Sequence, residues 1–179
     1  MALALALAGC GSADVKPADA KPKPAVPQGS DPVAWAGALC GGLGDVIAGV
    51  SAIAKAQPTP QGQKDGLLEF SDIAQRAFAN TAHKLEQLGQ PRIADSKRIQ
   101  DTAVSFFTTA AGTVGGQRAR LAALDAKDPD FAQKASHLAG PDLDASSSQM
   151  RELTSNKELA PAFRLAPACQ RLSAAGGHR

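Results

Sequence analysis

Residues 59–91 read TPQGQKDGLLEFSDIAQRAFANTAHKLEQLGQP, and this stretch decides the fold class. It opens with Thr59-Pro60, a side-chain cap followed by a proline at the first helical position, where the missing N–H is one the helix leaves unpaired in any case. It closes with Gly89-Gln90-Pro91, a helix stop and a short turn. Between these signals the apolar positions Leu67, Phe70, Ala74, Ala77, Phe78, Thr81, Leu85 and Leu88 recur every three to four residues. That spacing lines one face of an α-helix and fits no strand. The short turn after Leu88 then predicts that the following helix runs back antiparallel to this one.

The same start and stop signals extend in both directions. Asp31-Pro32 repeats the cap-and-proline pattern and predicts a first helix from about Pro32 to Ala56, stopped by Pro58-Thr59-Pro60. A third helix is predicted from about Pro91 to Ala126, with Ile99, Ala103, Phe106, Ala110, Val114, Leu121 and Leu124 facing inward. Asp128-Pro129 starts a further helical stretch through Phe131 and Leu138, which Gly140-Pro141 breaks and Leu143, Met150 and Leu153 continue. A short last helix, about Lys157 to Leu165, leads into Pro167-Ala168-Cys169. Composition agrees: 44% of the chain is hydrophobic but only 4% aromatic, so alanine, the best helix former, carries much of the apolar content. The expectation is all-α, an up-and-down four-helix bundle with a short C-terminal helix folded back onto the first helix, over residues 31–172, followed by a flexible tail at 173–179.

Upstream of the bundle, Met1 to Ala8 form an apolar run ending in Leu7-Ala8-Gly9-Cys10. This resembles the lipobox of bacterial lipoproteins. The resemblance implies that residues 1–9 are a signal peptide, that the Cys10 thiol takes a diacylglyceryl group, and that a lipoprotein signal peptidase cuts between Gly9 and Cys10. The basic n-region that precedes such an apolar stretch is missing or truncated here, because Ala-Leu repeats follow Met1 directly. Residues 10–30 are predicted to be a disordered tether. They carry four prolines and no hydrophobic period, and at ~3.1 Å per residue the stretch reaches roughly 60 Å. The implied location is the extracytoplasmic face of a cell membrane, with the membrane as a partner through the lipid.

Three cysteines are present, Cys10, Cys40 and Cys169. Lipidation of Cys10 leaves Cys40 and Cys169, one near each end of the domain, free to pair in an oxidising compartment. The alternative is two buried, reduced cysteines. Trp35 with Cys40, and the ending Glu158-Leu159-Ala160-Pro161-Ala162-Phe163 with Pro167-Ala168-Cys169, resemble small helical lipoproteins and secreted proteins of actinobacteria. Those share a Trp-x4-Cys near the domain start and a closing Cys after a short Leu-rich helix. This resemblance implies fold and location and lends no activity.

The first helix is the oddest segment. From Val33 to Ala54 it holds one charge, Asp45, and five glycines, at 37, 41, 42, 44 and 49. A transmembrane reading competes with a buried bundle helix. Alanine and glycine supply little transfer energy, and a central Asp opposes insertion by ~2.5–3.5 kcal/mol, so the buried helix is preferred. Each glycine costs up to ~1 kcal/mol relative to alanine inside a helix, so five imply close helix contact, local unwinding or a cavity. The candidate ligand-lining residues are Gly41, Gly44, Asp45 and Gly49, around a small apolar ligand held between helices.

The remaining motifs carry little. Trp35-Ala36-Gly37 spells the WxG of small type VII secretion substrates, but sits at a helix start rather than in a turn between two helices. Gly112, Gly115 and Gly116 lack the Lys-Ser/Thr ending of a phosphate loop. His83, His137 and His178 have no metal-ligand spacing. Ser146-Ser147-Ser148 has no strand–turn–helix context for a nucleophile. Net charge is +2, with 19 basic against 17 acidic residues, and lacks the basic footprint of a nucleic-acid partner. The expectation is a non-enzymatic binding or scaffold protein of the cell envelope, with no cofactor and no metal. Its partner is an envelope protein or, in the alternative, a small apolar ligand that it carries or senses.

Overall fold

A computed structural model describes residues 29–139 and 143–176. The expected signal peptide, Cys10, the tether up to residue 28, the Gly140-Pro141 break and His178 lie outside the described residues. The chain folds into seven helices among those residues: α1 Pro32–Lys55, α2 Pro60–Leu88, α3 Ser96–Ala123, α4 Phe131–Ala139, α5 Leu143–Ser155, α6 Ala160–Leu165 and α7 Pro167–Gly176.

Two predicted starts are built as the sequence indicates. The Asp31 carboxylate accepts the Val33 N–H at 2.9 Å, and the Thr59 hydroxyl accepts the Gly62 N–H at 3.0 Å. Each satisfies one donor that the first helical turn leaves open. The eight stripe positions of α2, from Leu67 to Leu88, are all buried or half-buried.

The long helices alternate in direction. Gly42 meets Thr81, Gly49 meets Ile73, and Gly66 of α2 meets Ala52 and Ala56, so α1 and α2 run antiparallel. Between α2 and α3, Gln100 Nε2 donates to the Leu85 carbonyl at 2.8 Å, Arg118 pairs with Asp72, and Lys64 Nζ donates to the Ala122 and Leu124 carbonyls at 2.8 and 2.6 Å. The lysine thereby satisfies carbonyls that the end of α3 cannot pair internally, at the pole of the helix dipole that favours a cation. The shorter helices complete the cover: α5 packs on α3, α6 and α7 pack on α1, and α4 closes the far end over α3 and α2.

The main core joins α1, α2, α3, α5, α6 and α7 around Trp35, Leu39, Leu85, Ile99, Phe107, Leu153 and Leu159, each essentially without exposed surface. Phe106 and Phe107 meet edge to face at 5.0 Å, a geometry the ring quadrupole favours. A smaller cluster of Leu121, Phe131 and Ala135 seats α4.

Three boundaries differ from expectation. The third helix begins at Ser96 and not at Pro91, because Ser30 takes the intervening backbone. Ser30 N donates to Gln90 O at 2.8 Å, and Arg92 N donates to Ser30 O at 3.0 Å, an isolated parallel bridge centred on Pro91. The Arg92 amide thus bonds across the chain, and Asp95 turns with φ of 52° before the helix starts. The same bridge fixes Ser30, the last residue of the expected tether. At the other end α7 continues to Gly176, past the boundary expected at 172, and residues 157–159 form a turn in place of the expected start of the last helix. There Asn156 Oδ1 accepts the Glu158 and Leu159 amides, each at 3.0 Å.

Candidate binding surface on the first helix

The surface that stands out is built on α1, because its neighbours are fixed so differently around its circumference. Trp35 ties its first turn inward: the indole Nε1 donates to Gln100 Oε1 at 2.7 Å, and Gln100 in turn donates to Leu85. A side-chain amide buried in an apolar core is costly unless paired, and here both of its ends are. Among the described residues no buried side-chain nitrogen or oxygen lacks a partner.

Cys40 is bonded to Cys169, with Cα atoms 5.0 Å apart and a separation of 129 positions in sequence. The bond fastens α7 alongside α1. Gly37 lies next to Ala166, Cys40 next to Cys169, and Gly44 and Ala48 line the same groove as Leu172 and Ala175, so α7 runs parallel to α1.

The glycines of α1 divide between these two neighbours. Gly42 and Gly49 are buried against α2. A Cβ on Gly49 would stand 2.8 Å from an Ile73 methyl, and one on Gly42 would overlap the Thr81 side chain. Glycine is required there for close approach of the two helices. Gly41 and Gly44 face the other way, where an added Cβ would meet nothing within 4 Å. They line a surface groove of about 370 Å³ between α1 and α7, together with Asp45, Ile47 and Ala48 on one side and Ala168, Arg171 and Leu172 on the other. Of the four candidate ligand-lining residues, Gly41, Gly44 and Asp45 therefore come together and Gly49 does not. Gly49 turns toward α2, where Ile73 and Phe70 occupy the space a ligand would need.

Beyond the groove, α1 presents an apolar stripe that sequence reading passed over. Ile47 is 53% exposed, Val50 49% and Ile53 38%, which makes them three of the four large hydrophobic side chains standing open among the described residues. Steps of 100° per residue put them on one face with Leu43, Val46 and Ala54. The heptad-like run Leu43, Val46/Ile47, Val50, Ile53/Ala54 was visible in the sequence. What it could not show is that Ile47, Val50 and Ile53, unlike half-buried Leu43, are left exposed by the surrounding helices among the described residues. By length and composition α1 would also suffice to cross a membrane, but its Trp35–Cys40 half is buried as a core helix is.

Among the described residues no cluster of three or more His, Cys, Asp or Glu side chains could hold a metal ion. His83 is exposed and contacts Gln87 at 2.9 Å and Glu86 at 3.8 Å within its own helix. The Arg118–Asp72 pair makes two hydrogen bonds, of 2.5 and 3.0 Å, that join α3 to α2. The bonded Arg118 guanidinium holds the Asp72 carboxyl below its ordinary pKa, against the opposing effect of burial and with further help from the charges of Arg118 and Arg76. Lys134 does the same for Asp128 beside α4, by hydrogen bond first and aided by the Asp130 amide. The Arg98–Glu152 ion pair ties α3 to α5. The Arg118–Asp72 and Arg98–Glu152 pairs join helices, and none of these contacts borders the groove.

No protein-family model, curated protein or solved structure matches the chain.

Proposed function

We propose that the protein is a non-enzymatic lipoprotein of the cell envelope, anchored through Cys10 on the extracytoplasmic face, that displays its helical domain as a binding or scaffold module. One observation carries this reading. Cys40 and Cys169 are bonded to each other, so of three cysteines only Cys10, at the end of Leu7-Ala8-Gly9-Cys10, is left for another chemistry. A disulfide between distant cysteines belongs to an oxidising compartment, in keeping with export. The bare apolar stripe on α1 supports a binding role, since apolar patches left open on a well-packed domain commonly mark contact sites. In this reading the helices form an up-and-down four-helix bundle whose fourth member is broken into short pieces.

The groove between α1 and α7 favours one second reading, a small apolar ligand seated over Gly41, Gly44 and Asp45. Its volume falls at the lower end of the roughly 300–1,000 Å³ typical of ligand pockets.

Mass spectrometry of the envelope-purified chain tests the anchor. The expected N-terminal peptide begins at Cys10 and carries an acyl mass, and Cys10→Ser loses that mass and is released from membranes. An unmodified Cys10 thiol in the mature protein would refute the reading. In native spectra, a small apolar molecule that co-purifies with the wild type but not with Gly44→Leu would favour the carrier over the scaffold.

A further inference from the structure

We infer that the exposed face of α1 centred on Val50 lies against the same bilayer that holds the Cys10 lipid, so that the domain rests side-on on the membrane. The inference builds on the anchor proposed above and assigns a second contact to the same partner. The face is made by Ile47, Val50 and Ile53, with Ala54 between them, and no charge interrupts it from Val46 to Ala54.

The size of the face selects its occupant. From Leu43 to Ala54 it covers under two heptads, about 18 Å of helix. A helical seam with a second copy needs at least three to four heptads, and a stable protein interface buries roughly 800 Å² on each side. A bilayer sets no such minimum, because it needs no matching shape and accepts a shallow apolar stripe as an interfacial helix does.

The chain also supplies the proximity. Gly29 lies nineteen positions after Cys10, a contour of roughly 60 Å. Val50 lies eighteen residues along α1 from Pro32, about 27 Å away. The anchor therefore reaches far enough for α1 to lie along the surface, and a contact too weak to hold a free protein is raised to a high effective concentration.

The test uses the full lipidated chain in vesicles of phosphatidylglycerol and phosphatidylethanolamine, with and without brominated acyl chains. Val50→Trp places an indole on the face, Thr109→Trp places one on the exposed side of α3 as a control, and buried Trp35 serves as the internal reference. The expected result is at least a twofold loss of the emission added by Val50→Trp in brominated vesicles, with the Thr109→Trp and wild-type signals unchanged. Equal iodide access to the Val50→Trp indole with and without vesicles, in chains shown by flotation to be vesicle-bound, would overturn the inference and leave the anchor intact. Protection from iodide that rises with protein concentration in the absence of vesicles would assign the face to a second copy and also overturn it. Should the wild type carry no lipid, the anchor reading fails separately, and Cys10→Ser titrated with millimolar vesicles decides the face: quenching of Val50→Trp supports it, and none rejects it.

Discussion

The two sides of α1 solve the same problem by opposite means. Against α2 the helix has no side chains at Gly42 and Gly49, and the space closes completely around Thr81 and Ile73. Against α7 it has no side chains at Gly41 and Gly44, and the space stays open as a groove. The first seam is held by packing over most of the helix. The second spans a few small residues and is held by a covalent bond. One residue type on one helix thus serves tight contact on one side and vacant surface on the other.

The largest test of this contrast is to cut the bond. Closing a loop of 129 residues restricts the unfolded chain by an amount equivalent to about 4–5 kcal/mol, before any strain. The double substitution Cys40→Ala with Cys169→Ala is expected to lower unfolding free energy by that order in denaturant titration. Hydrogen exchange should show α7 losing protection first while α2 and α3 keep theirs. Loss of protection spread evenly over all helices would mean that the α7 seam is not the weaker one.

Single alanines give a smaller and sharper contrast. Gly42→Ala forces its new methyl into Thr81 and is expected to destabilise by roughly 1–3 kcal/mol, an overpacking cost. Gly44→Ala meets open space and should stabilise by about 0.5–1 kcal/mol through helix propensity. Thermal melts of the two variants should move in opposite directions, and a common direction would erase the distinction.

The smallest effect asks whether charge matters to the packed side of the bundle. Asp72 and Asp128 both have folded pKa values below their ordinary ones, each through a hydrogen-bonded cation. A carboxylate lowered on folding contributes stability that is fully present above the unfolded value near 4, and that is lost as pH falls through the folded value. Melts between pH 7 and 2 should therefore hold steady to about pH 4 and fall below it. Asp72→Asn should flatten that fall slightly, since a partly exposed pair is screened by water. An unchanged acid limb would remove Asp72 from the account.

What the sequence disclosed, and what it withheld, follows from the range of the interactions. The caps at Asp31 and Thr59 and the α2 stripe depend on neighbours within a few residues, and they form as read. The start of α3 depends on Ser30, sixty-one positions before Pro91, and no local rule contains that bridge. The glycines of α1 show the same limit. Spacing gives their angles around the helix, but which angle is filled depends on α7, which is 129 residues away at the disulfide. Cys40 and Cys169 could be paired once Cys10 was assigned to a lipid, and a cavity at Gly41, Gly44 and Asp45 could be expected, whereas α7 as its other wall could not. Gly49 was grouped with Gly41 and Gly44 because only their shared helix was visible.

The disulfide also changes how the molecule would respond to tension. In a chain pulled from its two ends, force entering at Ser30 meets the Gln90 and Arg92 hydrogen bonds and then passes along α1 to Cys40. From there it crosses to Cys169 and leaves through α7. The loop between the two cysteines, with α2, α3, α4, α5 and α6, lies off that covalent path. Once the Ser30 bonds give, a chain pulled from its ends would extend by its outer segments while the covalent path bypasses most of the core.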